Sequence, residues 1–192
     1  MSPPRILAFA GSLRKDSYNK KLVQVAAGAA RRAGAEVTCI DLKDYPLPIY
    51  DGDIEEASGI PENAQKLKRL FLENDGLLIA AAEYNSSITA VLKNTIDWVS
   101  RAAPGEAALA CYTGKVATLL SASPGALGGL RGLVHVRAIL GNIGVIVLPG
   151  QVAVVRAHEA FNDDGTLKDA KQQAGVEGLG KTLAEFLRKL KS

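Results

Sequence analysis

Several features that mark secreted, membrane or metal-binding proteins are scarce in this chain of 192 residues. Its two cysteines, Cys39 and Cys111, are too few for a disulfide framework and favour a reducing, cytoplasmic setting. No window of about 18 apolar residues and no signal-peptide pattern occur, so neither a membrane span nor export is expected. The two histidines, His135 and His158, lack partners at ligand spacing, so no metal site is expected.

A large excess of charge of one sign is also missing. The net charge of +3 is too small to indicate binding to nucleic acid or to an anionic membrane. Hydrophobic residues make up 47% of the chain and charged residues 22%, which is typical of a soluble globular protein. We therefore predict one domain over residues 1–192, long enough for an α/β fold to bury a sound core.

Short apolar runs alternate with amphipathic helical segments along the chain. Nearly uninterrupted apolar strands in such an alternation are typical of a parallel sheet covered by helices on both faces. The predicted strands span residues 5–10, 36–40, 76–81, 116–122 and 145–148, and the predicted helices span residues 19–33, 61–73, 88–101, 130–142 and 170–190.

Three polar or glycine-rich loops follow predicted strands: the first loop (residues 11–18), the second loop (82–87) and the third loop (123–129). In doubly wound sheets, ligands bind beyond the carboxyl ends of the strands, at the point where the strand order reverses. If the strand order is 2-1-3-4-5, this crevice lies between strands 1 and 3. The first and second loops, which are the most polar, follow these two strands. We therefore predict a ligand site made by these loops.

The first loop lies between a strand and a helix and is rich in hydroxyl groups. Free N–H groups at a helix N-terminus favour an anion, and the hydroxyls and the Arg14 guanidinium add further donors. The alternative is that Ser17 caps the helix and that Arg14 is a solvated loop residue. The pattern favours a phosphate site formed by Ser12, Arg14, Ser17 and Asn19.

The second and third loops have chemistry that suits the rest of such a ligand. An aromatic side chain beside small polar groups, as at Tyr84, suits a planar heterocycle. The alternative is that Tyr84 covers the sheet and Asn85 makes a turn. Small residues in the third loop would let a ligand approach the backbone, although a plain flexible turn is the simpler explanation for that loop alone.

These segments together resemble the NADPH-dependent FMN reductases, a family that includes bacterial quinone and chromate reductases. The family motif G-S-L-R-x-x-S-x-N is matched by Gly11, Ser12, Leu13, Arg14, Ser17 and Asn19. The motif P-E-Y-N, with L-K-N-x-I-D-W downstream, is matched by Glu83, Tyr84, Asn85, Leu92, Lys93, Asn94, Ile96, Asp97 and Trp98. The motif S-x-G-x-x-G-G-x-R is matched by Ser123, Gly125, Gly128, Gly129 and Arg131. The sequence departs from the family at Ala82, where the family has a proline that would fix φ, so the free second loop is expected to be looser.

The resemblance implies a flavodoxin-like, doubly wound, five-stranded parallel sheet of order 2-1-3-4-5. It implies FMN as cofactor, NADPH or NADH as co-substrate, and a ping-pong cycle with a quinone, a flavin, an azo or nitro compound or chromate as acceptor. It also implies a homodimer or homotetramer, for which we predict a contact at the helix end around Trp98. Because the flavin carries the chemistry, no residue is expected to be catalytic. The resemblance implies that the phosphate is held by Ser12, Arg14, Ser17, Tyr18 and Asn19, and that the ring is bordered by Glu83, Tyr84, Asn85 and Ser86 on one side and by Ser123 and Gly125 on the other.

Two other functions fit part of the sequence. A small serine hydrolase would use Ser123 or Ser12, but Ser121 replaces the first glycine of G-x-S-x-G, and Val155 stands where compact lipolytic hydrolases have aspartate before a late histidine. A flavodoxin-type electron carrier would share the fold, but such carriers are usually acidic. Residues 175–182 match the P-loop pattern, yet no strand precedes them, so we predict a chance match within a C-terminal helix.

Overall fold

The computed structural model describes residues 2–191, so the two end residues of the predicted domain, Met1 and Ser192, lie outside the described residues. Five parallel strands form one sheet in the order β2-β1-β3-β6-β7, and β4 and β5 form a separate antiparallel hairpin. The five-stranded sheet therefore has the predicted order 2-1-3-4-5. The strands are β1 (Arg5–Ala10), β2 (Glu36–Ile40), β3 (Gly76–Ala80), β4 (Glu83–Tyr84), β5 (Ser87–Ile88), β6 (Val116–Ala122) and β7 (Ile146–Val154).

Helices cover both faces of this sheet because the inner strands are apolar on both sides. All residues of β3 and β6 are buried, as expected for the centre of a doubly wound sheet. Along β1, Ile6 and Ala8 pack against α1 and α7, whereas Leu7 and Phe9 pack against α3, α4 and α5. The helices are α1 (Tyr18–Arg32), α2 (Gly52–Ser58), α3 (Glu62–Glu73), α4 (Ala90–Val99), α5 (Leu130–Asn142), α6 (Ala157–Ala160) and α7 (Ala170–Leu190).

The sequence-based boundaries hold for most elements and are wrong at three places. The predicted strand 145–148 continues to Val154. Pro149 is tolerated because β7 is an edge strand, and because its pairing with β6 shifts register opposite Ala117 to Leu119. The predicted helix 88–101 begins at Ala90, because residues 83–88 form the hairpin. Helix α2, which buries none of its side chains, and the short α6 were not predicted. Within residues 2–191, no helix is both long and apolar enough to cross a membrane.

One buried hydroxyl group in β6 is expected to destabilise the fold. Thr118 is 1% exposed, and its Oγ1 has no hydrogen-bond partner among the described residues. Thr118→Val removes this unsatisfied group at constant shape, so the free energy of unfolding should rise by about 1 kcal/mol. Urea unfolding measures the change. The reciprocal substitution Val116→Thr on the same strand should lower the free energy of unfolding. If Thr118→Val instead made the protein less stable, the buried Thr118 hydroxyl would not be destabilising.

Candidate functional site

The first loop joins β1 to α1 and exposes the N-terminus of that helix. Ser12 and Ser17 are buried, whereas Arg14 is exposed. Ser17 takes the N-cap position, but within the described residues 17–32 it makes no side-chain capping bond, and the first turn of α1 contains no acidic residue. The Lys20 and Lys21 N–H groups donate to the Ser17 carbonyl. The N–H groups of Tyr18 and Asn19 are therefore the ones in this turn that can bind an anion, as the phosphate interpretation requires.

The cations around the first loop differ in their partners. Lys20 pairs with Asp41 at 2.5 Å. Burial would raise the pKa of Asp41, but hydrogen bonds from Lys20 and from the Lys43 N–H outweigh it and hold that pKa below its usual value. Among residues 2–191, Arg14 and Lys15 form no ion pair. Their charges are therefore available to a phosphate group.

Asn19 differs from the other predicted phosphate ligands. Its Nδ2 donates to the Ala122 carbonyl at 2.9 Å, and its Oδ1 accepts from the Ala122 N–H at the same distance. The side chain is 4% exposed. Because both ends of the amide are engaged by the main chain of Ala122, Asn19 joins α1 to the end of β6, directly before the third loop.

The second loop is the turn of a small hairpin rather than the start of a helix. Glu83 pairs with Ile88 and Tyr84 with Ser87. Asn85 and Ser86 have φ angles of 50° and 65°, the positive values that a two-residue type I′ turn needs at both positions. Tyr84 is 53% exposed at the edge of the hairpin, so its ring is free to contact a ligand.

The hairpin is held against the first turns of α5. The Glu83 Oε2 accepts from the Gly132 N–H at 2.8 Å, which places a carboxylate near a helix N-terminus. His135 Nδ1 lies 2.8 Å from the Ser87 Oγ. The structure thus gives the Glu83 side chain a role in positioning the hairpin. His135 is exposed and joins α5 to the hairpin through its contact with Ser87.

The third loop brings its backbone close to β6 and β7. Gly128 and Gly129 have φ angles of 61° and 91°. A Cβ at Gly128 would lie 2.8 Å from the carbonyl carbons of Ala153 and Val154. Ser123 is partly buried, and its Oγ accepts from the Gly125 N–H at 3.3 Å. This loop is therefore shaped by contacts that only glycine allows, and is not a plain flexible turn.

Three buried polar side chains lie next to the three loops, and their hydrogen bonds join the ends of these loops in pairs. Asn19 joins α1 to the end of β6, as described above. Thr89 Oγ1 donates to the Gly11 carbonyl at 2.7 Å, and Ser121 Oγ donates to the Ala81 carbonyl at 2.7 Å. Thr89 and Ser121 were not among the predicted site residues, because nothing in their local sequence identifies a partner 78 or 40 positions away.

An apolar groove of about 420 Å³ adjoins the first loop. Leu13 and the start of α4 both line it, and among the described residues Lys43 is the one charged side chain in its lining. Leu13 is 48% exposed and Ile49 is 84% exposed. The site therefore combines a polar, cationic end with an apolar surface.

Trp98 is not available for the subunit contact predicted at the end of α4. It is fully buried, and its Nε1 donates to the Pro48 carbonyl at 2.8 Å. Its ring packs edge-on against Tyr50, with centroids 5.0 Å apart. Asn94 binds the same segment, accepting from the Tyr50 N–H and donating to the Pro48 carbonyl. These residues hold the segment after β2 against α4.

The arrangement of histidines does not support the hydrolase alternative. His135 contacts Ser87, and His158 contacts Glu159 at 3.0 Å. Within residues 2–191, no hydrogen bond joins either histidine to Ser12 or Ser123. A nucleophilic serine without a general base lacks the activation that acyl transfer needs.

Comparison with known proteins gives consistent matches along this chain. A family model described as NADPH-dependent FMN reductase matches residues 4–159. An NAD(P)H-dependent FMN reductase from Pseudomonas aeruginosa is 34% identical over 188 residues, and a quinone reductase from Escherichia coli K12 is 30% identical over 190 residues; each alignment covers 97% of both chains. The solved structure of FerB, a flavoenzyme NAD(P)H:(acceptor) oxidoreductase from Paracoccus denitrificans, has a TM-score of 0.81 at 28% identity and covers 97% of this chain and 98% of that chain. An archaeal flavodoxin has a TM-score of 0.62 at 10% identity, covering 96% of this chain and 99% of that chain, which shows a shared fold.

Proposed function

Because this chain belongs to the NADPH-dependent FMN reductase family, we propose that it is an oxidoreductase that passes two electrons from NAD(P)H to a quinone in a ping-pong cycle. Membership of this family makes FMN the cofactor and NAD(P)H the co-substrate. The observation that carries the proposal is the meeting of a cationic helix N-terminus with the hairpin and the glycine-rich third loop at the carboxyl ends of β1, β3 and β6. This is the position where doubly wound folds bind their ligands.

The described residues fit FMN at both of its ends. The phosphate suits the free helix N-terminus and the unpaired Arg14 guanidinium. The ring suits the exposed Tyr84 and the backbone of the third loop, where Gly128 and Gly129 leave no room for a Cβ. Asn19 would support the site through Ala122. The proposed direct contacts are Ser12, Arg14, Ser17 and Tyr18 for the phosphate, and Glu83, Tyr84, Asn85, Ser86, Ser123 and Gly125 for the ring.

Bound FMN supplies the redox chemistry, accepting a hydride equivalent and returning two electrons to the acceptor. In the balanced reaction, NAD(P)H, one proton and a quinone are converted to NAD(P)⁺ and a hydroquinone. The protein binds and orients the reactants, which is why the site needs no general acid or base among its side chains. The apolar groove beside Leu13 favours planar, weakly polar acceptors such as quinones. Free flavins, azo or nitro compounds and chromate are further proposed acceptors.

Arg14→Ala should weaken FMN binding by roughly 1.5–3 kcal/mol, or about 10- to 100-fold in Kd, because it removes a charge-assisted bond to the phosphate. Titration of the apoprotein with FMN, followed by flavin fluorescence, measures the change. Lys15→Ala, which removes the neighbouring exposed cation, is the matched control and should change Kd less. Equal Kd values for Arg14→Ala and the unaltered protein would reject Arg14 as a phosphate ligand.

We also propose that the chain acts in the cytoplasm as a homodimer or homotetramer. Apolar side chains exposed near the hairpin and the start of α5 support self-association, since exposed apolar patches often mark interfaces. Light scattering of the purified protein measures the assembly. The large exposed side chains in this patch are Tyr84, Leu127, Leu130 and Val134.

An absorption spectrum of FMN-reconstituted protein under anaerobic conditions tests the function. Flavin bands should bleach on addition of NADPH and return on addition of a quinone, and initial rates should give the parallel-line pattern of a ping-pong cycle. Bleaching that requires a separate protein partner would instead indicate a flavodoxin-type carrier. If the protein retains no flavin at any FMN concentration, the proposed function fails.

A further inference from the structure

We propose that Asn19, Thr89 and Ser121 are positioning residues that fix the three loops relative to one another, so that the FMN site forms as one preorganised unit. Their bonds, called here the inter-loop hydrogen bonds, join residues at the ends of the three loops. Thr89, after the second loop, binds Gly11 of the first loop, and Ser121, before the third loop, binds Ala81, before the second. Asn19, after the first loop, binds Ala122, before the third. The inference rests on the proposed function, because it assigns how that same site is held in shape.

The inter-loop hydrogen bonds occur where the regular sheet ends. The last paired residues of β3 and β6 are Ala80 and Leu120, and the Ala81 N–H still donates to the Leu120 carbonyl. In a continuing parallel ladder, the next bond would run from the Ala122 N–H to the Ala81 carbonyl. Instead, the Ala122 N–H donates to Asn19, and the Ala81 carbonyl accepts from Ser121. Side chains therefore replace the ladder partners at the point where β3 turns away into the hairpin.

Asn19 makes the connection that the sheet cannot make. Strands β1 and β6 are not neighbours, because β3 lies between them. Thr89 and Ser121 join loops of adjacent strands, whereas the Asn19 amide reaches from the start of α1 across the end of β3 to Ala122. Among the hydrogen bonds of residues 2–191, those of Asn19 alone join the ends of the first and third loops directly. Without them, these two loops would be joined indirectly, through the second.

Burial makes these bonds stabilising. Asn19, Thr89 and Ser121 are 4%, 2% and 0% exposed. Removing one of these side chains leaves main-chain groups without a partner in a site that water reaches poorly, and the loops can satisfy those groups only by moving. Loops that must be reordered before a ligand binds reduce its affinity. The expected consequence is a loss of flavin affinity that does not depend on the phosphate group.

Binding of two probes, FMN and riboflavin, separates positioning from direct phosphate contact. Asn19→Ala and Thr89→Val should each raise the Kd of both flavins by about tenfold or more. Arg14→Ala should raise the Kd of FMN and leave that of riboflavin unchanged, since riboflavin has no phosphate. Thr89→Ser keeps the hydroxyl and should retain the original affinities. Asn74→Ala is the matched control, because Asn74 is a buried asparagine with a side-chain bond to a carbonyl at the opposite end of the sheet.

A second readout needs no flavin. In the apoprotein, hydrogen exchange of the Ala122 amide should accelerate in Asn19→Ala and remain slow in Asn74→Ala, since the Asn19 Oδ1 accepts from that amide. If Asn19→Ala does not fold, the flavin affinities of Thr89→Val and Thr89→Ser test the proposal instead.

Loss of FMN binding without loss of riboflavin binding would make Asn19 a phosphate ligand and overturn the proposal. Unchanged affinities for both flavins in Asn19→Ala and Thr89→Val would overturn it as well. If the unaltered protein binds neither flavin, the proposed function fails, and the exchange rate of the Ala122 amide still decides whether the connection exists.

Discussion

Gly180→Ala should lower the free energy of unfolding by about 3 kcal/mol, which in a chain of this size lowers the melting temperature by about 6–12 °C. A Cβ at this position in α7 would lie 2.0 Å from the Ala26 carbonyl oxygen and 3.2 Å from the Ala30 nitrogen of α1. Both obstacles are backbone atoms of a helix, so no rotamer change relieves the overlap. The two helices would have to separate, opening the core on that face of the sheet.

The same helix contains a matched control for this prediction. Gly178 has no atom within 4 Å of an added Cβ. Because alanine has the higher helix propensity, Gly178→Ala should raise the free energy of unfolding by about 1 kcal/mol. Thermal unfolding of both variants measures the difference. Equal destabilisation by the two substitutions would show that close packing of α1 on α7 is not the cause.

These glycines also explain the P-loop match. Residues 175–182 lie inside α7, which runs without interruption over Ala170–Leu190. A nucleotide-binding P-loop needs a strand before it and a loop whose N–H groups are free. Within a helix the N–H groups are used by the helix itself. The predicted chance match is confirmed, and Gly180 is present for helix packing.

Gly129→Ala should weaken FMN binding by about 100-fold, or about 3 kcal/mol. Gly129 has a φ of 91°, which is unfavourable for alanine by about 1–2 kcal/mol. The added Cβ would also lie 1.9 Å from the Ser121 Oγ. Ser121 would have to leave the Ala81 carbonyl, so the substitution would strain the third loop and break one of the inter-loop hydrogen bonds.

FMN titration of the Gly129→Ala apoprotein, together with its urea unfolding curve, measures the effect. Gly141→Ala in the same helix α5 is the control, because an added Cβ there meets no atom within 4 Å. It should leave FMN affinity unchanged. FMN affinity retained by Gly129→Ala would mean that the third loop can adopt another shape, and that its close approach to Ser121 is not required for the site.

The architecture is largely readable from the sequence because it depends on local patterns. Nearly uninterrupted apolar runs such as those of β3 and β6 can be satisfied only at the centre of a covered sheet. The first loop is also local: a strand, a run of hydroxyls and a helix start are contiguous in the chain. Short elements with little apolar character, such as α2, carry no such pattern, and proline hid the continuation of β7 along the sheet edge.

The individual roles within the site depend on distant partners. From sequence alone, Asn19 is one more polar residue beside a phosphate loop; in the fold, its amide is engaged by Ala122, 103 positions away. Trp98 likewise fits an interface until Pro48 and Tyr50 are seen to cover it. The parallel sheet and the chemistry of its three loops can be predicted from the sequence, because strand periodicity and helix starts are set by neighbouring residues; the strand order was predicted from the family resemblance. Which polar side chains remain free for a ligand, and which hold the loops together, can be seen only in the fold, because a hydrogen bond between loops depends on where β1, β3 and β6 end relative to one another.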